Sequence, residues 1–521
     1  MERDLASMAS KAFDVIVIGA GIHGACVARD AALRGFSVAI IDRGDFCGQT
    51  SHNSLKTIHG GIRYIQHLNF SRTIESIKEQ SIWLKTAPHL VAPLRFVMPT
   101  YGYGLRGPQA MFVGIQLYRA FGLGRNIDIR KDRHIDPGRV VGSRAVNRIV
   151  PDLPDKGASG AALWDDAQVA FADRAVLEVL FDAVTAGASA AAYAEVTRLV
   201  RTNMRVTGVQ VQDGRTGETF EIAGRVVVNA AGPWVGEVVE NSDLDGLTAP
   251  LTKSMNIVTR KPARNYALSI QSEQSSDSKV GKTKRLFFEI PWLGCAMYGT
   301  THVPAPAQTT ANTVDDQDAE IRSFIQELND AWPSLDLTLD DVCYCYQGYT
   351  PATESGSGRS RSHESVIVDH VEKNALEGLV SVIGVKWTTG RLVAERTVDL
   401  VCKKLGQQVR CKTRAAPLKP ISNVSYEISG KSDVEIEQIC RSHIEKTQTF
   451  MLRDMLLRRN NDLVRGLLSK SELRSVANTM CKELRWSDDE CRRQIDLLRT
   501  HWLPKETRAM IDQSTLFESS T

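Results

Sequence analysis

The chain has 521 residues, of which 42% are hydrophobic and 24% charged, and a formal net charge of +3. Such a composition suits a soluble globular protein with room for two or three well-buried domains. So mild a basic balance does not argue for nucleic acid, no run of about 18 apolar residues is present to span a membrane, and the polar opening MERDLASMASKA lacks the apolar stretch of a secretory leader.

The first element is the most informative. FDVIVIGAGIHGACVARDAALRGFSVAIID, residues 13 to 42, opens with an apolar run, Val15 to Ile18, as a buried parallel strand does. Gly19, Gly21 and Gly24 follow as GxGxxG. A helical pattern then runs to Leu33, and a second apolar run ends at Asp42. Gly19 permits the tight turn, Gly21 lets a pyrophosphate approach the backbone, and Gly24 lets helix and strand pack closely. The helix N-terminus offers free N–H groups to the phosphates, and Asp42 can accept from a ribose hydroxyl. Between strand and helix, with an acid ending the next strand, the motif specifies a dinucleotide site.

Next comes TSHNSLKTIHGGIRY, residues 50 to 64. Its histidine and arginine can both meet an anion, and its glycines let the backbone approach something flat or charged. LRGPQAMFVGIQLYRAFGLGR, residues 105 to 125, is apolar on one side, with Arg106, Arg119 and Arg125 around it. It reads either as a membrane-surface helix or as an ordinary helix packed on its own domain. DDAQVAFADRAVLEVLFDAVTAGASA has helical periodicity, and MRVTGVQVQDGRTGETFEIAGRVVVNAAG reads as a hairpin that turns at Asp213-Gly214 and Thr216-Gly217. QSEQSSDSKVGKTK is expected to be a surface loop and RAAPLKPISN a linker. From Ser432 the pattern is helical and charged, and its arginines Arg453, Arg458, Arg459 and Arg465 read as a solvated helix face, or as a group that touches anionic lipid or the other domain. The ten cysteines include no CxxC pair, which argues against a zinc site, and they read as buried thiols in a reducing cytoplasm.

VVVNAAGPWV, residues 226 to 235, and GLVSVIGVKWTTGRLVAERTVDLV, residues 378 to 401, resemble the distal dinucleotide-contacting strands of flavoproteins. Thr388 and Thr389 would open the last helix, whose dipole could stabilise negative charge on a flavin. Taken in order, IGAGIHGACVARDAALRG, TSHNSLKTIHGGIRYIQ, KTAPHLVAPLRFVMP, VVNAAGPW, FFEIPWLGCAMYGTTH, GYTP and GVKWTTGRLVAE resemble the FAD-dependent glycerol-3-phosphate dehydrogenase family over roughly residues 13 to 503. The resemblance implies an α/β fold: a Rossmann-like FAD-binding domain, an antiparallel-sheet substrate or cap domain, and a small C-terminal helical domain. The oxidoreductase region would span 13–412, with FAD-binding pieces near 13–75, 160–240 and 365–412 and cap pieces near 80–155 and 245–360. A linker at 413–431, a helical domain at 432–503 and a polar tail at 504–521 would follow.

The resemblance also implies roles. The cofactor is FAD, contacted by Gly19, Gly21, Gly24, Asp42, Thr50, Ser51, Ser54, Lys56, His59, Gly60, Gly61, Val196, Ala231, Gly232, Gly384, Lys386 and Thr388. Arg63, Tyr64 and Arg361 would bind substrate. Lys386 and His59 would support oxidation of a secondary alcohol, with hydride passing to the flavin. The blander readings are a structural contact for His59, a surface ion pair for Arg63, a packed aromatic for Tyr64 and a structural role for His302. No metal site is expected. The implied substrate is a polyol phosphate, first sn-glycerol 3-phosphate going to dihydroxyacetone phosphate, with a quinone or similar electron acceptor. The implied place is the cytoplasm, or the inner face of a membrane as a peripheral protein.

This chain departs from the family pattern mainly on the substrate side. Thr350 stands in GYTP where the family has an arginine, His302 replaces an acid, Val385 and Gly390 replace a glycine and a tyrosine, and Asn460 replaces a threonine. A pocket that has lost a large side chain would also suit a longer substrate such as a tetritol phosphate. A flavin-binding protein without turnover is the third reading.

Overall fold

The computed structural model describes residues 1–104, 107–154, 157–244, 247, 250–278, 281–305, 317–355, 358–361 and 364–511. The apolar run of the first motif becomes the strand Ala12–Ile18, central in a parallel array. Val15 pairs with Val38 on one side and Val226 on the other, so Val38–Ile41 and Thr219–Asn229 flank it. Ser189–Ala191 and Leu379–Ile383 extend the array outward. Both faces of these strands are covered, which is why they read as unbroken Val and Ile rather than as alternation. Helices Ile22–Leu33, Ala172–Thr185 and Gly390–Leu405 lie on one face, where Val17, Ala25, Val176 and Val398 are fully buried. The antiparallel strands Ala194–Thr202 and Arg205–Asp213 feed into Thr219–Asn229, turning where Gly217 N donates to Asp213 O.

A second, larger sheet stands beside the first. Long strands Val342–Ser355, Leu251–Pro262, Cys295–Pro304, Gly281–Trp292 and Ala267–Ser278 pair antiparallel in that order. The sheet continues through Val91–Thr100 to Gly160–Val169. Gly160–Val169 therefore belongs to this sheet, although it was expected among the dinucleotide pieces. Its residues are buried on both sides, and DDAQV, expected to open the following helix, is instead the end of this strand, with the helix starting only at Ala172. The helix Gln317–Ala331 covers the sheet and places Phe324 against Phe287 with ring centroids 5.1 Å apart.

Three segments differ from what the sequence suggests. In QSEQSSDSKVGKTK the described residues belong to two paired strands, with Ser275 opposite Lys284 and Ser278 opposite Gly281, while Lys279 and Val280 lie outside the described residues. Ladder pairing begun by Leu268 and Ile270 propagates through polar residues because backbone groups, not side chains, make the bonds. The stretch 413–431 is an ordered strap: Leu418 and Ile421 are buried in the core of the first domain, and Leu418 N donates to Thr86 O at 2.8 Å. Beyond residue 504 the helix Lys505–Met510 ends at a fully buried Ile511. The rest of the expected tail, 512–521, lies outside the described residues.

The C-terminal helices Asp433–Thr447, Lys470–Leu484 and Asp488–Arg499 start at Ser432, Ser469 and Ser487. In the first two, Ser and the Glu three residues on cap each other reciprocally. Arg458 and Arg459 are buried and ion-paired, not solvated. Local charge pattern cannot reveal this, because their partner Asp45 lies more than four hundred positions earlier.

Candidate functional site

The glycine turn and the end of the second strand form one wall of a cleft. Gly19, at φ +94°, sits where a Cβ would lie 2.7 Å from Ala230 O, and at Gly24 a Cβ would lie 1.8 Å from Gly19 O. No larger residue fits either place. Asp42 accepts from Ala20 N at 2.6 Å and Gly44 N at 2.9 Å, and burial raises its pKa to about 6. Ser51 Oγ accepts from Ile22 N, the first N–H of the helix, at 3.0 Å. Thr50 donates to Tyr349 O at 2.7 Å and so ties this loop to the larger sheet. Val196, Ala231 and Gly232 close the far wall. Gly19, Gly21, Asp42, Thr50, Ser51, Val196, Ala231 and Gly232 thus line one cavity. Gly24 sets the helix against the strand instead.

Further along, the IHGG segment is held from below by a carboxylate. Asp166, on Gly160–Val169, accepts from Gly60 N, from Gln80 Nε2 at 2.8 Å and from Trp164 Nε1 at 3.1 Å. Burial raises its pKa, and the three donors counter that. At Gly60 a Cβ would meet the Tyr118 hydroxyl, and Gly61 has φ +77°. The chain then turns through Ile62–His67. Arg63 is exposed on this turn. Tyr64 lies at the centre of a small group: the His59 ring is 5.9 Å away edge-on, and Lys386 Nζ is 4.1 Å from the Tyr64 ring centroid.

Lys386 follows the strand Leu379–Ile383, and the helix after it starts at Gly390 with Thr389 as its N-cap. The Thr389 side chain does not cap that terminus; Gly390 N donates to Trp387 O at 3.1 Å, and the terminus keeps its partial positive charge for a ligand. Gly384 backs onto the half-buried His23 ring, 2.4 Å from where its Cβ would be. The carbonyl of Thr388 accepts from Trp83 Nε1 at 3.3 Å.

Lys56 is placed elsewhere. It is 1% exposed, donates to His52 O at 2.7 Å, and stands 4.0 Å from Asp173 Oδ2 and 4.4 Å from the Tyr346 ring centroid. Asp173 also holds His52 Nδ1 at 2.8 Å, and the neighbouring His52 and Lys56 charges pull its carboxyl down to about 2 against the cost of burial. This cluster, with Asp166 and Gln80, supports the loop from behind. Sequence reading missed it because nothing in a single buried Asp or Gln announces its partner. Arg361 lies in the edge strand Gly358–Arg361, and its side chain is outside the described residues. On the larger sheet, Thr350 Oγ1 lies 3.0 Å from Thr252 Oγ1, and His302 Nδ1 lies 2.8 Å from Ser254 Oγ.

The residues present fit an extended flavin dinucleotide. Ser54 Oγ, Thr388 Oγ1, Trp387 Nε1 and His23 Nε2 are buried polar atoms with no protein partner, as groups reserved for a polar ligand are. Glycines let the backbone be approached closely, the acid Asp42 ends the second strand, and the helices Ile22–Leu33 and Gly390–Leu405 offer their N-termini, the features that a dinucleotide's ribose, phosphates and ring require. Among the described residues, no group of three metal-ligating side chains converges.

Comparison with known proteins agrees. The family model for FAD dependent oxidoreductase matches residues 14–400. A glycerol-3-phosphate dehydrogenase of Synechocystis sp. is 33% identical over 424 residues, covering 80% of this chain and 75% of the relative. The aerobic glycerol-3-phosphate dehydrogenase of Bacillus subtilis is 28% identical over 432 residues, covering 80% of this chain and 73% of the relative. The solved structure of the glycerol-3-phosphate dehydrogenase from Bacillus halodurans complexed with FAD matches with a TM-score of 0.71 at 23% identity, covering 99% of this chain and 98% of that one. At that identity the last match speaks for the fold.

Two outcomes follow from the site. Replacing Asp166→Ala orphans three donors at roughly 1–3 kcal/mol each. The variant should unfold at lower urea and purify with less flavin per chain, read as visible over ultraviolet absorbance; full flavin content would contradict the role of Asp166. The second concerns pH. Burial pulls His23 down to about 4 from 6.5, and His443 and His501 to about 3. Their unfolded forms take up protons that the folded forms refuse, so stability is full above about 6.5 and falls as pH drops toward 4. Asp42 acts with the opposite sign between 6 and its unfolded value near 3.8. Going from pH 7 to 5, His23→Gln should lose about 2 kcal/mol less than the parent in urea titrations. An equal loss would show that His23 does not titrate this way.

Proposed function

The chain belongs to the FAD-dependent oxidoreductase family, in its glycerol-3-phosphate dehydrogenase branch, and we propose that it oxidises sn-glycerol 3-phosphate to dihydroxyacetone phosphate. The observation that carries this reading is the grouping of His59 and Lys386 about Tyr64 at the far end of the dinucleotide cleft. Bound FAD would supply the hydride acceptor. The chain would hold it through Asp42 at the ribose, the Ile22 helix terminus and Ser51 at the pyrophosphate, and the Gly60–Gly61 backbone and Gly390 helix terminus at the ring.

The remaining work falls to side chains. Lys386 would place positive charge beside the substrate oxygen as its proton leaves, which favours the alkoxide-like state over the alcohol. His59 would receive that proton. Arg63, on its exposed turn, would hold the phosphate by a bidentate fork. Tyr64 keeps Lys386 in place through its ring face. On the larger sheet the paired hydroxyls of Thr252 and Thr350, and His302 with Ser254, offer neutral contacts. They support the second reading, a longer polyol phosphate whose extra hydroxyls these groups would meet.

Electrons would pass to a quinone, with the protein docked peripherally on the cytoplasmic face of a membrane. No helix among the described residues is long and apolar enough to cross one. The helix Pro108–Phe121 buries Ile115 and Tyr118 but exposes Phe112 and Val113, and just beyond it Leu123 is 85% and Ile127 70% exposed. Exposed apolar side chains beside the exposed Arg119 suit an anionic lipid surface, whereas Arg125 is buried against the Tyr118 ring and Arg130 is paired with Asp132.

Anaerobic addition of sn-glycerol 3-phosphate should bleach the visible flavin band. Lys386→Met should slow that bleaching about 10²–10³-fold while keeping its flavin. Bleaching only by a longer polyol phosphate would move the assignment to the second reading; a flavin that no polyol phosphate reduces would sink both. For the membrane reading, the protein should float with anionic vesicles, and Leu123→Asp with Ile127→Asp should abolish flotation. Equal flotation of the variant would refute docking through this helix.

A further inference from the structure

We propose that Arg458 and Arg459 are positioning residues for the adenosine end of the cofactor site, which makes the C-terminal helical domain part of the cofactor's clasp. The inference rests on the reading that the cleft holds FAD.

The loop from Asp42 to Ser51 forms much of the cleft wall, and Asp45 sits in it. The Asp45 side chain is 1% exposed. A buried carboxylate persists only with cations and hydrogen bonds around it. Here both cations come from the far end of the chain. Arg459 grips Asp45 as a fork, Nη2 to Oδ1 at 2.6 Å and Nη1 to Oδ2 at 2.9 Å. Arg458 Nε reaches Oδ2 at 2.5 Å. Two adjacent residues of an ordinary helix point about 100° apart, so the two guanidiniums approach the one carboxylate from different directions. Both lie in a π-helical turn, Met455–Arg459, closed by Asn460 N to Met455 O at 3.2 Å, from which the two side chains converge on Asp45. Asp454, which pairs with Arg458 and accepts from the Tyr193 hydroxyl at 2.6 Å, supplies the second negative charge. Two cations and two anions cancel within one buried cluster.

The cluster acts on the cofactor site through the backbone. Gly48 N donates to Asp45 O at 3.0 Å, and Cys47 N donates to Ala20 O in the glycine turn at 3.1 Å. Gly44 N, next to Asp45, orients Asp42. If Asp45 loses its arginines it must turn toward water, and its neighbours Gly44, Cys47 and Gly48 move with it. Asp42, Thr50 and Ser51 would then leave the positions that meet the ribose and pyrophosphate. An account confined to stability would leave flavin affinity unchanged in any molecule that still folds.

The test compares the full-length parent with Arg459→Lys and Arg459→Met, measuring FAD dissociation by the fluorescence of released flavin and substrate KM at saturating FAD. Arg459→Met should raise the FAD Kd at least about 10-fold, since it leaves a buried carboxylate half-paired. Arg459→Lys, which keeps the charge but loses the fork, should recover part of that loss. Substrate KM should stay within about two-fold, because the reacting end lies elsewhere. An unchanged Kd in folded variants with lowered Tm would overturn the proposal. Should the variants fail to fold, the parent decides. Binding linkage is reciprocal, so loading flavin onto stripped protein should slow amide exchange over Met455–Asn460 at least about 10-fold. Equal exchange rates would overturn the clasp, and a parent that takes up no flavin would overturn both the clasp and the reading beneath it.

Discussion

One buried carboxylate organises much of this molecule. Asp45 lies in the loop that walls the cofactor cleft, and burial would make its charge intolerable without the two guanidiniums that enclose it. Those guanidiniums are delivered by a π-helical turn in the C-terminal domain. That turn is held in place by Thr447, which accepts from Arg459 Nε at 3.0 Å, and by Gln494, which accepts from Leu452 N at 2.9 Å. The C-terminal domain, the strap before it and the dinucleotide loop are therefore one mechanical unit.

The same logic recurs at lower charge. Asp166 collects three donors beneath the IHGG segment, and Asp173 collects His52 and Lys56 behind the preceding loop. Arg391 at the start of the helix Gly390–Leu405 pairs with buried Glu79 at 2.5 Å. Each buried acid joins elements that are far apart in sequence, and each would be costly to leave half-paired. The site is thus surrounded by polar contacts that hold several loops at fixed distances, as a reaction sensitive to the placement of hydride donor and acceptor requires.

Function divides along the same line. The flavin side is built from glycines, helix ends and backbone donors, features set by where the chain can physically approach a dinucleotide. In the proposed reading the substrate side would be built from side chains of separate elements: Arg63 and Tyr64 on one turn, Lys386 after a parallel strand, and the hydroxyl and imidazole pairs of the larger sheet. Such a surface can change its substrate with few substitutions while the cofactor half stays fixed. Gly390 illustrates the constraint on the cofactor half, since a Cβ there would lie 2.9 Å from Ile22 in the facing helix.

What the sequence determined by itself is local and periodic. Strand, glycine turn, helix and terminal acid are contiguous, and their chemistry depends on neighbours a few residues away, so the dinucleotide site was legible from Gly19 to Asp42. The IHGGIRY segment showed only that it could meet something flat or charged, and its proposed place beside a flavin rests on the family resemblance. Tertiary structure alone decided the rest. Whether Gly160–Val169 joins the parallel or the antiparallel sheet depends on which partner's backbone is free, and its buried residues do not say. Lys56 turning away from the cleft, Asp166 holding Gly60, and Arg458 and Arg459 sinking onto Asp45 all depend on charges brought together from distant segments. Burial energy is a property of the assembled surroundings, and a charged residue in a sequence looks the same whether water or a buried partner will meet it.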